Sequence, residues 1–170
     1  MKIRTLQADD VARLLAFELA NRAWFEQHVE ARSPAFYSAA GVGAHISDYL
    51  DSHHAGTMHP CVLTSDDGAA IIGRANLRQI DREAGTGEVG YRIAGSEARQ
   101  GLGCRALEHL MELARGQYRL RVLSAWISPQ NIGSRLVAEK CGFTRDPLAA
   151  PQVVQVNGED RTSHLYQCRL

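Results

Sequence analysis

The sequence predicts an α+β fold with three layers (α/β/α), in which helices cover the two faces of a central sheet. Strand-like runs follow one another directly in the middle of the chain, between residues 61 and 94. Helix-like segments flank that group and do not alternate strictly with strands, which argues against a doubly wound parallel sheet. Hydrophobic residues make up 45% and charged residues 22% of the 170 residues, which is typical of one globular domain.

The sequence pattern of the N-terminal third of the chain predicts one strand and two helices. Residues 3–7 form a short strand, and Asp9 or Asp10 can cap the helix that follows. The apolar face of that helix recurs at helical spacing through Val11, Leu14, Leu15 and Leu19, and the pattern can continue to Trp24. A stretch that is aromatic and charged together (21–37) then leads to a second helix at residues 38–53.

The middle of the chain predicts three consecutive strands. Residues 61–64 and 69–79 form two strands joined by a turn that ends in a glycine. Residues 87–94 form the third strand, in which side chains alternate between two faces. The apolar face carries Val89, Tyr91 and Ile93, and the other carries Glu88, Gly90 and Arg92.

The C-terminal part predicts two further helices and three strands. A helix at 105–118 precedes a hydrophobic strand at 120–127, and a second helix at 132–141 ends at a glycine. The chain closes with a hairpin of residues 153–156 and 163–169 around an Asn-Gly turn.

Charge and hydropathy exclude several classes of protein. The chain has 19 basic and 19 acidic residues, and this balance gives no support for non-specific nucleic-acid binding. No apolar run is long enough to span a membrane, and the N-terminus lacks a signal-peptide core. We therefore expect a cytoplasmic protein that binds neither membranes nor nucleic acid directly.

The most informative segment is a glycine-bearing turn at residues 97–104, between a strand and a helix. Gly101 and Gly103 permit unusual backbone conformations and a close approach of a ligand. The free N–H groups at the start of the helix favour an anion, and Arg99 adds a donor fork suited to phosphate. The turn therefore predicts a pyrophosphate site. A tight connection without a ligand is the alternative from these residues alone.

Neither common phosphate motif fits this turn. The dinucleotide fingerprint needs a third glycine where the chain has Ala106, and the P-loop needs a Gly-Lys-Ser/Thr sequence that the chain lacks. The four cysteines form no Cys-x-x-Cys pair, and the histidines at 53, 54 and 59 match no zinc spacing. We expect no metal site, and we interpret Cys104 as a backbone contributor to the turn and not as a nucleophile.

The order of these pieces resembles the GNAT (GCN5-related) acetyltransferases. The Q/R-x-x-G-x-G/A turn of that family corresponds to residues 98–103, with Ala98 at its first position. Residues 131–143 look like the N-x-x-S-x-x-x-x-E-K-x-G-F block of the RimJ/RimL branch, whose members acetylate the N-terminal amine of ribosomal proteins. The Asn21-Arg22-x-Trp24-Phe25 segment and the Asn157-Gly158-x-x-Arg161 hairpin also fit the branch.

The resemblance implies a fold, a cofactor and a binding slot. It implies one GNAT acetyltransferase domain over residues 1–170, with a mixed, mostly antiparallel sheet of about seven strands whose central strands splay apart. Acetyl-CoA would lie between those strands. Its contacts would come from Tyr91, Arg92, Ile93, Arg99, Gln100, Gly101, Leu102, Gly103, Cys104, Asn131 and Ser134.

The resemblance also implies catalytic roles. Glu88 matches a frequent acidic position and would take the amine's proton, directly or through water; an α-amino group with a pKa of about 8 needs only a modest base. The tyrosine that many members use as the acid is replaced by Ala138, so Ser134 would donate to the departing sulfur. Asn131 would bond the pantetheine, although an ordinary helix N-cap is its alternative role.

The expected reaction is transfer of an acetyl group, by direct attack, to the N-terminal α-amine of a protein or peptide. Asn21, Arg22, Trp24 and Phe25 would form part of the acceptor wall. A small-molecule amine acetyltransferase (for an amino acid, polyamine or antibiotic) is the main alternative, and a CoA-binding module without turnover is a third. A homodimer is compatible with each of these.

Overall fold

Eight strands and five α-helices make up the computed structural model, which describes residues 1–156 and 158–170. The strands are β1 (Lys2–Thr5), β2 (His59–Thr64), β3 (Ile71–Asp81), β4 (Thr86–Ile93), β5 (Val122–Ile127), β6 (Thr144–Arg145), β7 (Gln152–Val156) and β8 (Glu159–Arg169). The helices are α1 (Val11–Ala20), α2 (Arg22–Glu26), α3 (Ala39–His54), α4 (Leu102–Gly116) and α5 (Ile132–Lys140). None of the described helices is both long and apolar enough to cross a membrane.

The strands form one mixed sheet in the order β1-β2-β3-β4-β5-β8-β6, and β7 also pairs with β8. Of these described pairings, only β4 with β5 is parallel. The parallel pair needs a crossover, which α4 supplies. The predicted mostly antiparallel sheet is confirmed. Its eight strands exceed the expected seven because the two-residue β6 pairs with β8.

Two hydrophobic cores lie on opposite faces of the sheet. In β2, Cys61 and Leu63 pack in the core that contains the buried face of α4, whereas Val62 packs with residues of α1 and α3. Successive side chains of a strand point to opposite faces, so both faces of the sheet are buried. The predicted three-layer α+β fold is therefore confirmed.

The element boundaries differ from the predictions in two places that matter for the site. The first helix ends at Ala20 and a short second helix follows, because Asn21 leaves the helical conformation at φ −112°. α4 begins at Leu102, three residues before the predicted start at Arg105, since Gly101 serves as its N-cap in the left-handed conformation. The predicted hairpin is present between β7 and β8; its turn residue Asn157 lies outside the described residues.

Candidate active site

The central strands β4 and β5 separate after three paired positions. The described pairs join Thr86 to Val122, Gly87 to Leu123 and Glu88 to Ser124. β4 then continues to Ile93 alongside β3, and β5 continues to Ile127 alongside β8. The two strands therefore diverge towards their carboxyl ends and leave a slot whose edges are strand backbone.

Backbone groups of Tyr91 and Ile93 face this slot. The N–H of Ala94 donates to the carbonyl oxygen of Ile72 at 2.9 Å, so the backbone N–H of Ala94 points at β3. Successive residues of a strand bond to opposite sides, so Ile93 and Tyr91 point away from β3. The Trp24 indole donates to the carbonyl oxygen of Ile93 at 3.2 Å from that open side. The N–H groups of Tyr91 and Ile93 are thus directed at the slot.

The glycine turn opens α4 and packs against Tyr91 of β4. Gly101 has φ 79° and Arg99 has φ 63°, so the chain passes through left-handed conformations on both sides of Gln100. The side chains of Leu102 and Cys104 are buried, while Arg99 and Gln100 are exposed. The first turn of α4 consequently offers its backbone N–H groups to solvent beside an exposed guanidinium.

Gly103 allows α4 to approach the sheet closely. A Cβ at this position would lie 3.2 Å from the Tyr91 ring and 3.2 Å from Cγ2 of Val137. The glycine therefore fixes the turn against β4 and α5 at once. The six residues 99–104 that were predicted to hold a pyrophosphate meet at this one turn.

A cleft of about 320 Å³ joins the slot to the opposite face of the sheet. Among the residues predicted from sequence, it is lined by Glu88, Tyr91, Arg92, Asn131 and Ser134. The β7–β8 hairpin contributes part of the far wall, and Arg161 of that hairpin donates to the carbonyl oxygen of Gln27 at 3.0 Å. The structure thus brings the predicted catalytic pair into one space with Tyr91, Arg92 and Asn131, whereas Ile93 is not among the residues that line it.

Asn131, Ser134 and Tyr91 form a connected polar group beside the slot. The Asn131 side-chain oxygen accepts from the Ser134 N–H at 3.1 Å and caps α5, which leaves the amide nitrogen for another partner. The Tyr91 hydroxyl donates to Ser134 Oγ at 3.5 Å, and burial raises the pKa of Tyr91 to about 12. The bond between Tyr91 and Ser134 was not predictable, because nothing in the sequence links positions 43 residues apart.

Glu88 is held by an ion pair. Arg78 Nη2 donates to Glu88 Oε1 at 2.5 Å, and the Glu88 side chain is 13% exposed. Asn76 lines the same part of the cleft, and its buried Oδ1 has no hydrogen-bond partner within the described residues. Neither Arg78 nor Asn76 was identified from sequence. Their positions on β3, opposite Glu88 and Gly90, follow only from the strand register.

A second charged group lies further along the cleft and was also missed. Glu18 of α1 is fully buried and accepts from Arg74 of β3, and Arg32 and Arg92 lie within 4 Å of its second oxygen. Arg74 Nη2 also lies 2.6 Å from His45 Nε2. Burial, followed by the field of Arg74, lowers the pKa of His45 to about 3, so this ring is neutral.

The residues predicted for the acceptor wall mainly hold the cleft's surroundings together. Asn21 accepts from the Gly95 N–H at 2.9 Å, Arg22 pairs with Glu26, and Phe25 is buried against Phe17. Trp24 is 39% exposed, stacks on Gly95 and bonds Ile93. The structure does not place these four side chains in the lining of the cleft, so their contact with an acceptor stays a prediction. Residues 28–30 and 32, which were not predicted for this wall, line the cleft instead.

No cluster of three or more His, Cys, Asp or Glu side chains within residues 1–156 and 158–170 is arranged to hold a metal ion. The histidines at 53 and 59 lie close together, with ring centroids 4.6 Å apart. His59 is instead engaged by the Tyr118 hydroxyl at 2.9 Å and Thr5 Oγ1 at 3.0 Å.

Comparisons with known proteins agree on one family. The family described as "Acetyltransferase (GNAT) domain" matches residues 1–144. "Probable N-acetyltransferase YjcK" of Bacillus subtilis (strain 168) is 28% identical over 158 residues, which are 92% of this chain and 86% of the relative.

Two solved structures share the fold. Ribosomal-protein-S5-alanine acetyltransferase from Vibrio fischeri superposes with a TM-score of 0.90 at 20% identity, over 98% of this chain and 91% of the other. RimJ of Mycobacterium smegmatis, solved in complex with CoA-disulfide, gives a TM-score of 0.87 at 20% identity, over 98% and 80% of the two chains. These likenesses establish the fold of the present chain.

Proposed function

The chain belongs to the GNAT acetyltransferase family, and we propose that it transfers an acetyl group from acetyl-CoA to the N-terminal α-amine of a protein or peptide. The single observation that carries this proposal is the separation of β4 and β5 after Glu88 and Ser124, next to the glycine turn that opens α4. The slot and the turn together fit an extended thiol arm that ends in a pyrophosphate. The solved ribosomal-protein-S5-alanine acetyltransferase with the same fold supports a protein terminus as the acceptor.

The chain's own groups fit CoA in three places. Residues 99–104 would bind the pyrophosphate through the N–H groups of the helix start and the Arg99 guanidinium. The N–H groups of Tyr91 and Ile93 would bond the pantetheine and the thioester carbonyl, and the Asn131 amide nitrogen would bond the arm from the other side. The bound acetyl-CoA supplies an activated acyl carbon and a thiolate leaving group.

Glu88 and Ser134 would manage the two protons of the transfer. Glu88 lies at the closed end of the slot and would take a proton from the amine, directly or through a water molecule. Ser134 would donate to the departing sulfur. Because the Tyr91 hydroxyl points at Ser134 Oγ, it leaves the serine hydrogen free to turn towards the slot. No metal takes part in this proposal.

The cleft's rim supports a peptide acceptor. Glu30 and Gln152 line the cleft and are exposed, so the cleft is continuous with the surface. We propose further that residues 1–170 act as one domain. Residues beyond 144 lie outside the family match, but β8 pairs with β5 along six positions and completes the sheet that forms the site.

The decisive experiment measures thiol release from acetyl-CoA with two acceptor libraries, one of short peptides with free N-termini and one of small amines. We expect release with peptides and loss of that release when the N-terminus is already acetylated. Release with small amines only would replace the peptide by a small-molecule acceptor. Tight CoA binding without release for any amine would overturn the assignment of turnover.

A further inference from the structure

Three guanidinium groups converge on one carboxylate along the acceptor side of the cleft. Glu18 of α1 is fully buried, and Arg74 of β3, whose side chain is 3% exposed, donates to its Oε1. Arg92 Nη1 lies 3.6 Å from Glu18 Oε2, and Arg32 Nε lies 3.8 Å from the same oxygen. Both Arg32 and Arg92 line the cleft and keep 23% of their side chains exposed.

The Glu18 carboxylate does not form hydrogen bonds with Arg32 or Arg92, so N–H donors of these two arginines stay available. A donor–acceptor distance of 3.6 or 3.8 Å is beyond hydrogen-bond range, so Glu18 offers Arg32 and Arg92 attraction without a bond. Arg32 Nε is buried and has no hydrogen-bond partner within the described residues. Each guanidinium carries five N–H donors, and those of Arg32 and Arg92 are held beside an open space.

The charges around this space leave a positive surplus. Burial, followed by the field of Arg74, lowers the pKa of Arg32. Burial, followed by the field of Arg32, lowers the pKa of Arg92 to about 10. His45 is neutral there, as described above. Glu30 lies at the rim of the cleft, exposed, and forms no ion pair of 4 Å or less within the described residues. Positive charges that lie close together with little water around them repel each other strongly. A bound anion relieves this repulsion.

The surplus faces the acceptor and not the CoA turn. Arg92 extends from the face of β4 that carries Glu88, and its guanidinium lies 5.2 Å from the Phe25 ring centroid in the core beneath α1 and α3. The side chain of Tyr91, the preceding residue, extends from the other face towards α5, where α4 and the glycine turn lie. Arg92 and the proposed base Glu88 therefore share one side of the sheet.

We propose that the acceptor carries a carboxylate near its reacting amine, and that Arg32 and Arg92 bind this carboxylate while Arg74 anchors Glu18 beneath them. This inference rests on the proposed acetyl transfer and names the class of its substrate. Arginine suits the role because its planar fork binds a carboxylate through two parallel hydrogen bonds.

The spacing along β4 selects the position of the carboxylate. Arg92 follows Glu88 by four residues on the same face, which is a separation of about 13 Å between Cα atoms at about 3.3 Å per residue. A free α-amino acid holds its amine and carboxylate on one carbon and is too short to engage both ends. An extended peptide advances about 3.3–3.6 Å per residue, so an acidic side chain at its second or third position reaches the arginines.

The first test uses peptides that begin with alanine and carry aspartate, asparagine or lysine at the second or third position. We expect kcat/KM for the aspartate peptides to exceed that for the matching asparagine peptides by about tenfold or more, since a charged hydrogen-bonded pair replaces a neutral one. The lysine peptides should be the poorest. Equal kcat/KM for aspartate and asparagine would overturn the inference.

The second test removes each arginine in turn. Arg32→Gln and Arg92→Gln should reduce the aspartate preference, which is the ratio of kcat/KM for the aspartate peptide to kcat/KM for the asparagine peptide, to about twofold or less. Arg92→Lys should keep an intermediate preference because it retains the charge and loses the fork. Arg115→Gln, which removes an exposed positive charge at the far end of α4, should leave the preference unchanged.

Two further readouts separate the possible failures. Titration of the protein with an N-acetylated aspartate peptide, compared with its asparagine counterpart, measures the anion site without turnover; free N-acetylaspartate should bind more weakly than the peptide. If no amine is acetylated but the aspartate peptide still binds preferentially, the acetyl-transfer proposal fails and the anion site stands. Loss of thermal stability in both glutamine variants with an unchanged aspartate preference would show that the arginines only support the fold.

Discussion

Asn131 combines a capping role with a proposed binding role, and two substitutions distinguish the two roles. Its oxygen caps α5, and its amide nitrogen is proposed to bond the pantetheine. Asn131→Asp keeps a capping oxygen and replaces the donor by an acceptor, so stability should hold while CoA binding weakens by about twofold to tenfold. Asn131→Ala should lose both the cap and the bond to the pantetheine. Loss of the cap should lower the free energy of unfolding by about 1 kcal/mol. Urea unfolding and CoA titration measure the two effects; unchanged CoA affinity in Asn131→Asp would limit Asn131 to the cap.

Ser134 is the proposed donor to the leaving sulfur. Removing a hydrogen bond to a charge that develops in the transition state costs a rate factor on the order of 10². Ser134→Ala should therefore lower kcat about a hundredfold with CoA affinity nearly unchanged, as measured by thiol release and direct titration. Ser52→Ala on α3, where the hydroxyl bonds the helix's own carbonyl, is the matched control. Undiminished turnover in Ser134→Ala would remove the role.

The buried ion pair of Glu18 and Arg74 leads to a prediction about the free energy of unfolding that does not depend on any substrate. Glu18→Gln leaves the buried Arg74 guanidinium without its counter-charge, and breaking a buried pair by removing one partner costs about 3–5 kcal/mol. The free energy of unfolding in urea should fall by that order. Glu30→Gln, an exposed residue without such a partner, should change it by less than about 0.5 kcal/mol. A loss below 1 kcal/mol in Glu18→Gln would show that the site tolerates an unpaired arginine.

The separation of β4 from β5 predicts which backbone amides CoA protects from hydrogen exchange. The alternation along β4 directs the N–H groups of Gly90 and Arg92 at β3 and those of Tyr91 and Ile93 at the open slot. Added CoA should therefore slow hydrogen exchange of the Tyr91 and Ile93 amides strongly. The Gly90 and Arg92 amides should be protected with and without CoA. Residue-resolved exchange by NMR measures all four; CoA protection at Gly90 and Arg92 alone would place the arm elsewhere.

The start of α4 shows why element boundaries were less predictable than element order. Gly101 and Gly103 looked like loop residues by composition, yet Gly101 caps the helix and Gly103 belongs to its first turn. Propensity disfavours glycine inside helices by about 1 kcal/mol. Here the close approach of Gly103 to Tyr91 and Val137 outweighs that preference, and no local pattern reports a contact between separate elements.

The whole molecule should lose stability as the pH falls below the ordinary histidine range. The pKa of His45 is lowered to about 3 and that of His59 to about 4, in both cases chiefly by burial. Between about pH 4 and pH 6.5 the unfolded chain therefore binds more protons than the folded chain, so stability rises with pH over that window and levels off above it. Each of these neutral histidines contributes a slope of up to about 1.4 kcal/mol per pH unit.

Urea unfolding at pH 5 and pH 7 measures this dependence. His59→Gln removes one of the two groups and should reduce the difference between the two pH values. His54→Gln changes an exposed residue five positions earlier and should leave the difference unchanged. A flat stability profile from pH 5 to pH 7 in the unmodified protein would contradict the neutral state of both rings.

The order of strands and helices, the glycine turn and the Asn131 and Ser134 block are local patterns, and the sequence by itself determined them together with the GNAT family. Periodicity, caps and turn residues act within a few positions of the chain, which is why these features survive without a structure. The partners of Glu88 and the group of Glu18, Arg32, Arg74 and Arg92 were decided only by the tertiary structure. Their charges come from elements far apart in sequence, and only strand register and helix packing bring them within 4 Å. The residues of the proposed donor site could therefore be named from the sequence, whereas the proposed acceptor site depends on charges that only the folded sheet brings together.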